Sequence, residues 1–137
     1  MDIHIEIISQ KIVIVDEIPC AKGKITIGDF EKRFNIALEY WSIDDYKRQW
    51  KEGLERIKTH DKSCLVYYVQ DPSKLPYIGW WRMYKIDNKV YVRNSIIFTH
   101  LYKNKIGDKR FTPETCYDFI SDRNPKEKVS EWIVELD

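Results

Sequence analysis

Ile3, Ile5 and Ile7 alternate with His4 and Glu6, the two-residue period of a strand with one face buried. β-Branched residues continue through Lys11-Ile12-Val13-Ile14-Val15. Lys24-Ile25-Thr26-Ile27, bounded by Gly23 and Gly28, is a further short strand. The segments Lys11-Ile12-Val13-Ile14-Val15-Asp16 and Lys24-Ile25-Thr26-Ile27-Gly28-Asp29 look alike, but two copies are two similar strands, not a repeat architecture. Over residues 33–41, Phe34, Ile36, Leu38 and Tyr40 alternate, and a strand is predicted there as well.

The period then changes. Ile43, Tyr46, Trp50, Leu54 and Ile57 recur at helical spacing, while Lys47, Arg48, Lys51, Glu52, Glu55 and Lys58 cover the other side. Ser42 stands at the N-cap and Asp45 three residues later completes a capping box, with Asp in place of the usual Glu. Trp41 and Tyr46 have the spacing of a hydrophobic staple, and Asp44 and Asp45 put negative charge at the positive end of the helix dipole. A long amphipathic helix is predicted over residues 42–58.

Residues 64–70 read as a strand, followed by a loop through Asp71-Pro72-Ser73-Lys74-Leu75-Pro76. Strands at 78–86 and 89–98 flank Asp87-Asn88, a tight hairpin turn. Residues 101–110 are polar and irregular, a loop. Thr112-Pro113-Glu114 signals a helix start and a short helix over 112–121, which Asn124-Pro125 breaks; residues 129–136 alternate as a last strand. The pattern predicts an α+β fold: a mainly antiparallel sheet, one long helix and one short one. No linker divides the 137 residues, so one domain spanning 1–137 is expected, long enough to bury roughly two-thirds of its extended surface.

Charge and cysteine content narrow the classes. The 23 Lys and Arg against 22 Asp and Glu lack the basic excess of a duplex-binding protein. The charge is nonetheless uneven: Lys103, Lys105, Lys109 and Arg110 form a basic stretch, and Glu114, Asp118, Asp122, Glu127, Glu131, Glu135 and Asp137 make the last quarter acidic. Three widely spaced cysteines, Cys20, Cys64 and Cys116, fit a reducing compartment better than a disulfide scaffold or a metal site. No apolar run reaches the ~18–20 residues of a membrane span, and residues 1–15 lack the features of a secretory signal.

Catalytic chemistry finds little support. His4, His60 and His100 sit on a strand, after a helix and before a loop, with no reason to converge on one another. Asp45-Tyr46-Lys47 and Asp87-Asn88-Lys89 fit the D-x-K spelling of metal-dependent nucleases, but one is a helix cap and the other a turn. Phosphate-binding glycine loops and nucleophile elbows are missing. No cofactor, metal or catalytic residue is assigned.

The hairpin carries more information. A two-residue turn places Tyr84 opposite Tyr91, Arg82 opposite Arg93 and Trp80 opposite Ser95, leaving Trp81, Met83, Val90, Val92 and Ile96 on the other, core face. The aromatic and cationic face has the composition of a partner surface or of a single-strand-binding platform. It has equally the composition of a face covered by the long helix, with the arginines reaching solvent at the rim. The acidic region complements a basic partner or is simply a solvated surface.

Gly23-Lys24-Ile25-Thr26-Ile27-Gly28-Asp29-Phe30-Glu31 with Phe34, then Tyr40-Trp41, Tyr46, Gln49-Trp50 and Leu54, resembles the immunity proteins of contact-dependent growth inhibition (CdiI-like). Trp80 or Trp81 with Val90-Tyr91-Val92-Arg93-Asn94, and Trp132-Ile133-Val134, continue the resemblance, which runs over residues 23–97. It implies a cytoplasmic, non-enzymatic antitoxin. Its partner is implied to be the C-terminal toxin domain of a cognate CdiA-type effector, often a nuclease. Interface residues differ between relatives of this kind and are not carried over. The residues themselves nominate Glu114, Asp118, Asp122, Glu131 and Glu135 as partner-binding, then Arg82, Tyr84, Tyr91 and Arg93. A nucleic-acid-binding module using the Arg/Tyr face and the basic stretch is the alternative, and a small nuclease using scattered His and acidic residues is a third reading.

Overall fold

The computed structural model describes residues 1–70, 77–97 and 111–137, and the backbone of Phe98. The loops predicted at 71–76 and 101–110, His100 and the basic stretch lie outside the described residues. The elements in chain order are β1 (Ile3–Val15), β2 (Ile18–Ile27), β3 (Phe30–Ala37), α1 (Ile43–Arg56), β4 (Lys62–Val69), β5 (Tyr77–Ile86), β6 (Lys89–Phe98), a 3-10 turn (Cys116–Phe119) and β7 (Glu131–Glu135). They form two antiparallel sheets, β1-β2-β3 and β4-β5-β6-β7, so the fold is α+β as the pattern predicts.

The two isoleucine-rich N-terminal segments are one long strand. β1 pairs with β2 from Ile3↔Ile27 to Val15↔Ile18, with register shifts between Ile7 and Ser9 and between Ser9 and Val13. Asp16 and Glu17 make the turn with positive φ of 50° and 69°. β3 ends earlier than the alternation suggests. After Ala37 the chain leaves the sheet, and Trp41 inserts into the core, stacked on Phe111 with its indole N–H donating to the Phe111 carbonyl.

One core joins the sheets. Phe30 stacks on Trp132 at 4.3 Å and meets Trp81 at 6.5 Å, and Phe34 packs on Tyr67 at 5.0 Å. Trp81 therefore faces the first sheet, while Trp80 on the opposite face meets Phe111 at 5.8 Å. The hairpin register is the expected one, with Trp80↔Ser95, Arg82↔Arg93, Tyr84↔Tyr91 and Ile86↔Lys89. Ile96 differs from its assignment to the core. It is 57% exposed; its ladder partner is Gly79, over which the Tyr67 ring packs instead.

α1 has the predicted N-terminus. Ser42 Oγ accepts from the Asp45 N–H at 3.1 Å, Asp45 Oδ2 accepts from the Ser42 N–H at 3.0 Å, and the Trp41 and Tyr46 rings lie 5.2 Å apart. Its buried face does more than pack. β4 is an edge strand, and side chains of α1 bond the backbone groups that a further strand would have met. Gln49 donates to the Cys64 carbonyl at 2.7 Å and accepts from the Val66 N–H at 2.8 Å. Trp50 donates to the Val66 carbonyl at 2.6 Å. The Tyr46 hydroxyl accepts from the Val69 N–H at 3.1 Å and donates to the Ala37 carbonyl at 2.6 Å, tying the end of β3 to β4. Burial pushes the Tyr46 pKa far up, so this hydroxyl keeps its proton.

The short helix predicted over 112–121 is instead a turn at Thr112 leading into four 3-10 residues. Thr112 caps the turn through its hydroxyl, which accepts from the Glu114 and Thr115 N–H groups. Cys116, Tyr117, Phe119 and Ile120 are all buried, and the element ends where Ile120 turns to extended backbone, with φ of −78° and ψ of 116°.

The approach of α1 to β4 requires a glycine. A Cβ on Gly53 would sit 2.3 Å from the Cys64 carbonyl oxygen, a backbone atom that cannot yield. Gly53→Ala gains about 1 kcal/mol of helix propensity but meets overpacking of about 1–3 kcal/mol compounded by displacement from the β4 edge. A net loss of stability is expected in urea denaturation; a more stable variant would refute the close-approach account. Gln49→Ala leaves a buried donor and acceptor unpaired and is expected to cost about 2–4 kcal/mol in the same measurement.

Candidate functional site

Pairing Arg82 with Arg93 across adjacent strands sets two guanidinium groups side by side on one face. Neither reaches solvent: they are 5% and 2% exposed. Two buried like charges need counter-charges, and the C-terminal segment supplies them. Arg82 Nη2 donates to Glu127 Oε2 at 2.8 Å, and Arg93 Nη1 donates to Glu127 Oε1 at 3.2 Å and to the Asn124 carbonyl at 2.8 Å. Arg93 Nε donates to Glu131 Oε2, and Arg123 donates to both oxygens of Glu131, at 3.1 and 2.8 Å. Arg82 Nη1 donates to the Tyr84 hydroxyl at 3.1 Å, which itself donates to the Ser121 carbonyl at 3.0 Å. The guanidinium of Arg123 lies 4.7 Å over the Tyr91 ring.

The local sequence bends the segment to fit. Asn124 Oδ1 accepts from the Lys126 N–H at 2.9 Å and its carbonyl from the Glu127 N–H at 3.1 Å, a turn at Asn124-Pro125 that brings Glu127 back over the sheet. Glu131 opens β7, whose ladder with β6 places it opposite Arg93. The hydrogen bond from Arg123 is the largest cause holding the Glu131 carboxyl below its ordinary pKa; Arg93 adds to it and burial opposes.

The structure thus gathers Arg82, Tyr84, Tyr91, Arg93 and Glu131 into one cluster and turns most of it inward. The C-terminal segment covers this face of the hairpin, rather than the long helix that one of its two readings placed there. Tyr91 alone of the four hairpin residues is half-buried. The other nominated acids remain exposed and apart. Glu114 pairs with Arg48 at 2.9 Å, Asp118 lies on the 3-10 turn, Asp122 pairs with Lys62 at 2.9 Å, and Glu135 stands opposite Lys89 in the ladder. Lys62 holds the Asp122 carboxyl below its usual range.

Sequence reasoning missed two features. Arg123 closes the cluster, and its only signal was a positive charge within an acidic stretch. Ile8, Ile12, Val13 and Ile14 of β1 are all exposed. The signal there was Ile12-Val13-Ile14 itself, since three consecutive apolar residues cannot share one face of a strand. Among the described residues, no group of three His, Cys, Asp or Glu is placed to hold a metal ion, and no helix is long and apolar enough to cross a membrane.

Because the folded-state pKa of Glu131 lies below its unfolded value, its contribution is full above about pH 4.5 and is lost as pH falls through the folded value. Glu131→Gln is expected to destabilise the chain at pH 7, with the gap to wild type closing in acid. Denaturation curves across pH test this; a gap that stays constant would assign the cost to packing instead of charge.

Residues 36–137 match the family model described as the CdiI N-terminal domain. The match begins after the Gly23 to Phe34 stretch that carried part of the resemblance and extends past it to the end of the chain. The immunity protein CdiI of Enterobacter cloacae subsp. cloacae is 34% identical over 119 residues, 83% of this chain and 78% of the relative. The solved CdiA-CT/CdiI toxin and immunity complex from Enterobacter cloacae contains a chain that superposes with a TM-score of 0.79 at 30% identity, covering 99% of this chain and 91% of that one. Family model, sequence and fold agree: this chain belongs to the CdiI family of immunity proteins.

Proposed function

We propose that this chain, acting as one unit, binds the C-terminal toxin domain of a cognate CdiA-type effector and neutralises it in the cytoplasm, without catalysis of its own. We further propose that the toxin is a nuclease. The observation that carries the reading is the superposition over 99% of the chain on a structure solved as a toxin and immunity complex.

The exposed carboxylates Glu114, Asp118, Asp122 and Glu135 are the contact residues in this reading. Their pairs with Arg48 and Lys62 are surface ion pairs, worth little individually, so they are readily exchanged for a partner's cations. A nuclease presents a basic substrate groove, and complementary charge speeds encounter. Arg82 and Arg93 by contrast are engaged internally by Glu127 and Glu131, so the two arginines of the nucleic-acid-binding alternative are already occupied. Tyr91, half-buried beneath the Arg123 guanidinium, and Glu131, held by Arg93 and Arg123, complete the candidate set.

Co-expression with the C-terminal region of the effector encoded beside this gene is expected to yield a stable complex and to restore growth. The toxin alone is expected to cleave nucleic acid, and equimolar addition of this chain to stop it. Failure to bind would overturn the antitoxin reading; binding to a toxin with another activity would overturn only the nuclease assignment. Combined Glu114→Lys, Asp118→Lys and Asp122→Lys substitutions are expected to slow association by about tenfold or more at low salt. If association is unchanged while Ile12→Lys abolishes it, the apolar part of β1 is the contact surface instead.

A further inference from the structure

Cys64 and Cys116 are separated by 52 positions in sequence, yet their Sγ atoms are 3.7 Å apart. Cys64 lies in β4 beneath α1, and Cys116 opens the 3-10 turn. Both are fully buried and carry free thiols. The third thiol, Cys20, belongs to a separate apolar cluster with Ile18, Ala37 and Tyr68. The chain therefore holds one thiol pair in contact and one thiol outside it.

We propose that Cys64 and Cys116 are a site of reversible intramolecular disulfide formation, which staples the C-terminal segment to β4. The oxidant is a low-molecular-weight disulfide. One cysteine thiolate attacks it, forming a mixed disulfide and releasing one small thiol. The second cysteine thiolate then displaces the other small thiol and closes the Cys64–Cys116 bond. Two protein thiols and one small disulfide become one protein disulfide and two small thiols, the two electrons passing to the oxidant. Closure needs the sulfurs to approach from 3.7 Å to bonding distance, by about 1.7 Å.

Burial sets the kinetics. Burial and the neighbouring Cys116 both push the Cys64 thiol well above its ordinary pKa, so the closed protein is a poor nucleophile. Residues 111–130 join no strand ladder, but Phe111, Cys116, Tyr117, Phe119 and Ile120 pack in the main core, so an oxidant reaches Cys116 only when that segment opens. Oxidation is then limited by opening, and the staple acts on the same segment that Glu127 and Arg123 fasten at its far end.

The test uses the full chain in oxidised glutathione, natively and in mild urea, followed by acid quench, alkylation, intact mass and tryptic mapping. The expected product is a monomer lighter by two hydrogens, with the Cys64 and Cys116 peptides joined and Cys20 alkylated. Its unfolding midpoint is expected to rise by roughly 5–10 °C and to fall back on reduction. Cys20→Ser is expected to oxidise like wild type, and the urea arm to react faster than the native one. Stable glutathione adducts, a bridge to Cys20, or three free thiols even in the urea arm would overturn the proposal.

Discussion

The Gln49 carboxamide is the contact on which the rest of the molecule depends. An edge strand exposes a row of amide N–H and carbonyl groups that must find partners if the edge is buried. One primary amide offers a donor and an acceptor in the spacing of a backbone peptide, so Gln49 occupies the place of a neighbouring strand at Cys64 and Val66. Trp50 and Tyr46 extend the imitation toward the end of β4, at Val66 and Val69, and Gly53 lets the helix backbone come close enough for it to work. Tyr46 also reaches Ala37, so the same helix face sets the junction of the two sheets.

The arginine pair follows a similar logic with charge. Placing Arg82 against Arg93 is unfavourable for the hairpin alone and becomes favourable only when Glu127 and Glu131 arrive. The acidic character of the C-terminal quarter is thus partly internal: two of its glutamates complete the hairpin face, and the remainder look outward.

Local signals were legible and long-range ones were not. The capping box, the staple and the Asp87-Asn88 hairpin register are written within a few residues of one another, and all are present in the structure. Gln49 was legible only as part of a resemblance, since a polar residue on a helix says nothing of the strand edge it serves. The cover over Arg82 comes from Glu127, 45 residues away, and no periodicity connects them. Thr112-Pro113-Glu114 is a sound helix start, and the residues after it keep helical spacing, so no local signal marks the extended backbone at Ile120 that ends the element after four 3-10 residues. Of the cluster, Arg82, Tyr84, Tyr91, Arg93 and Glu131 were among the nominated residues, whereas Glu127 and Arg123, which close it, were not, and its orientation depends on that same distant segment.

The two register shifts in β1 acquire a meaning beside the exposed Ile8, Ile12, Val13 and Ile14. A straight apolar edge strand invites another chain to pair with it, and Lys11 is the sole cation within this stretch to discourage that. The irregularities break the ladder at the very place where the apolar side chains emerge, so the strand bends where a copy would need it flat. Backbone geometry at residues 7–13 thus works against edge-to-edge association of the free protein, and smoothing that stretch would favour it.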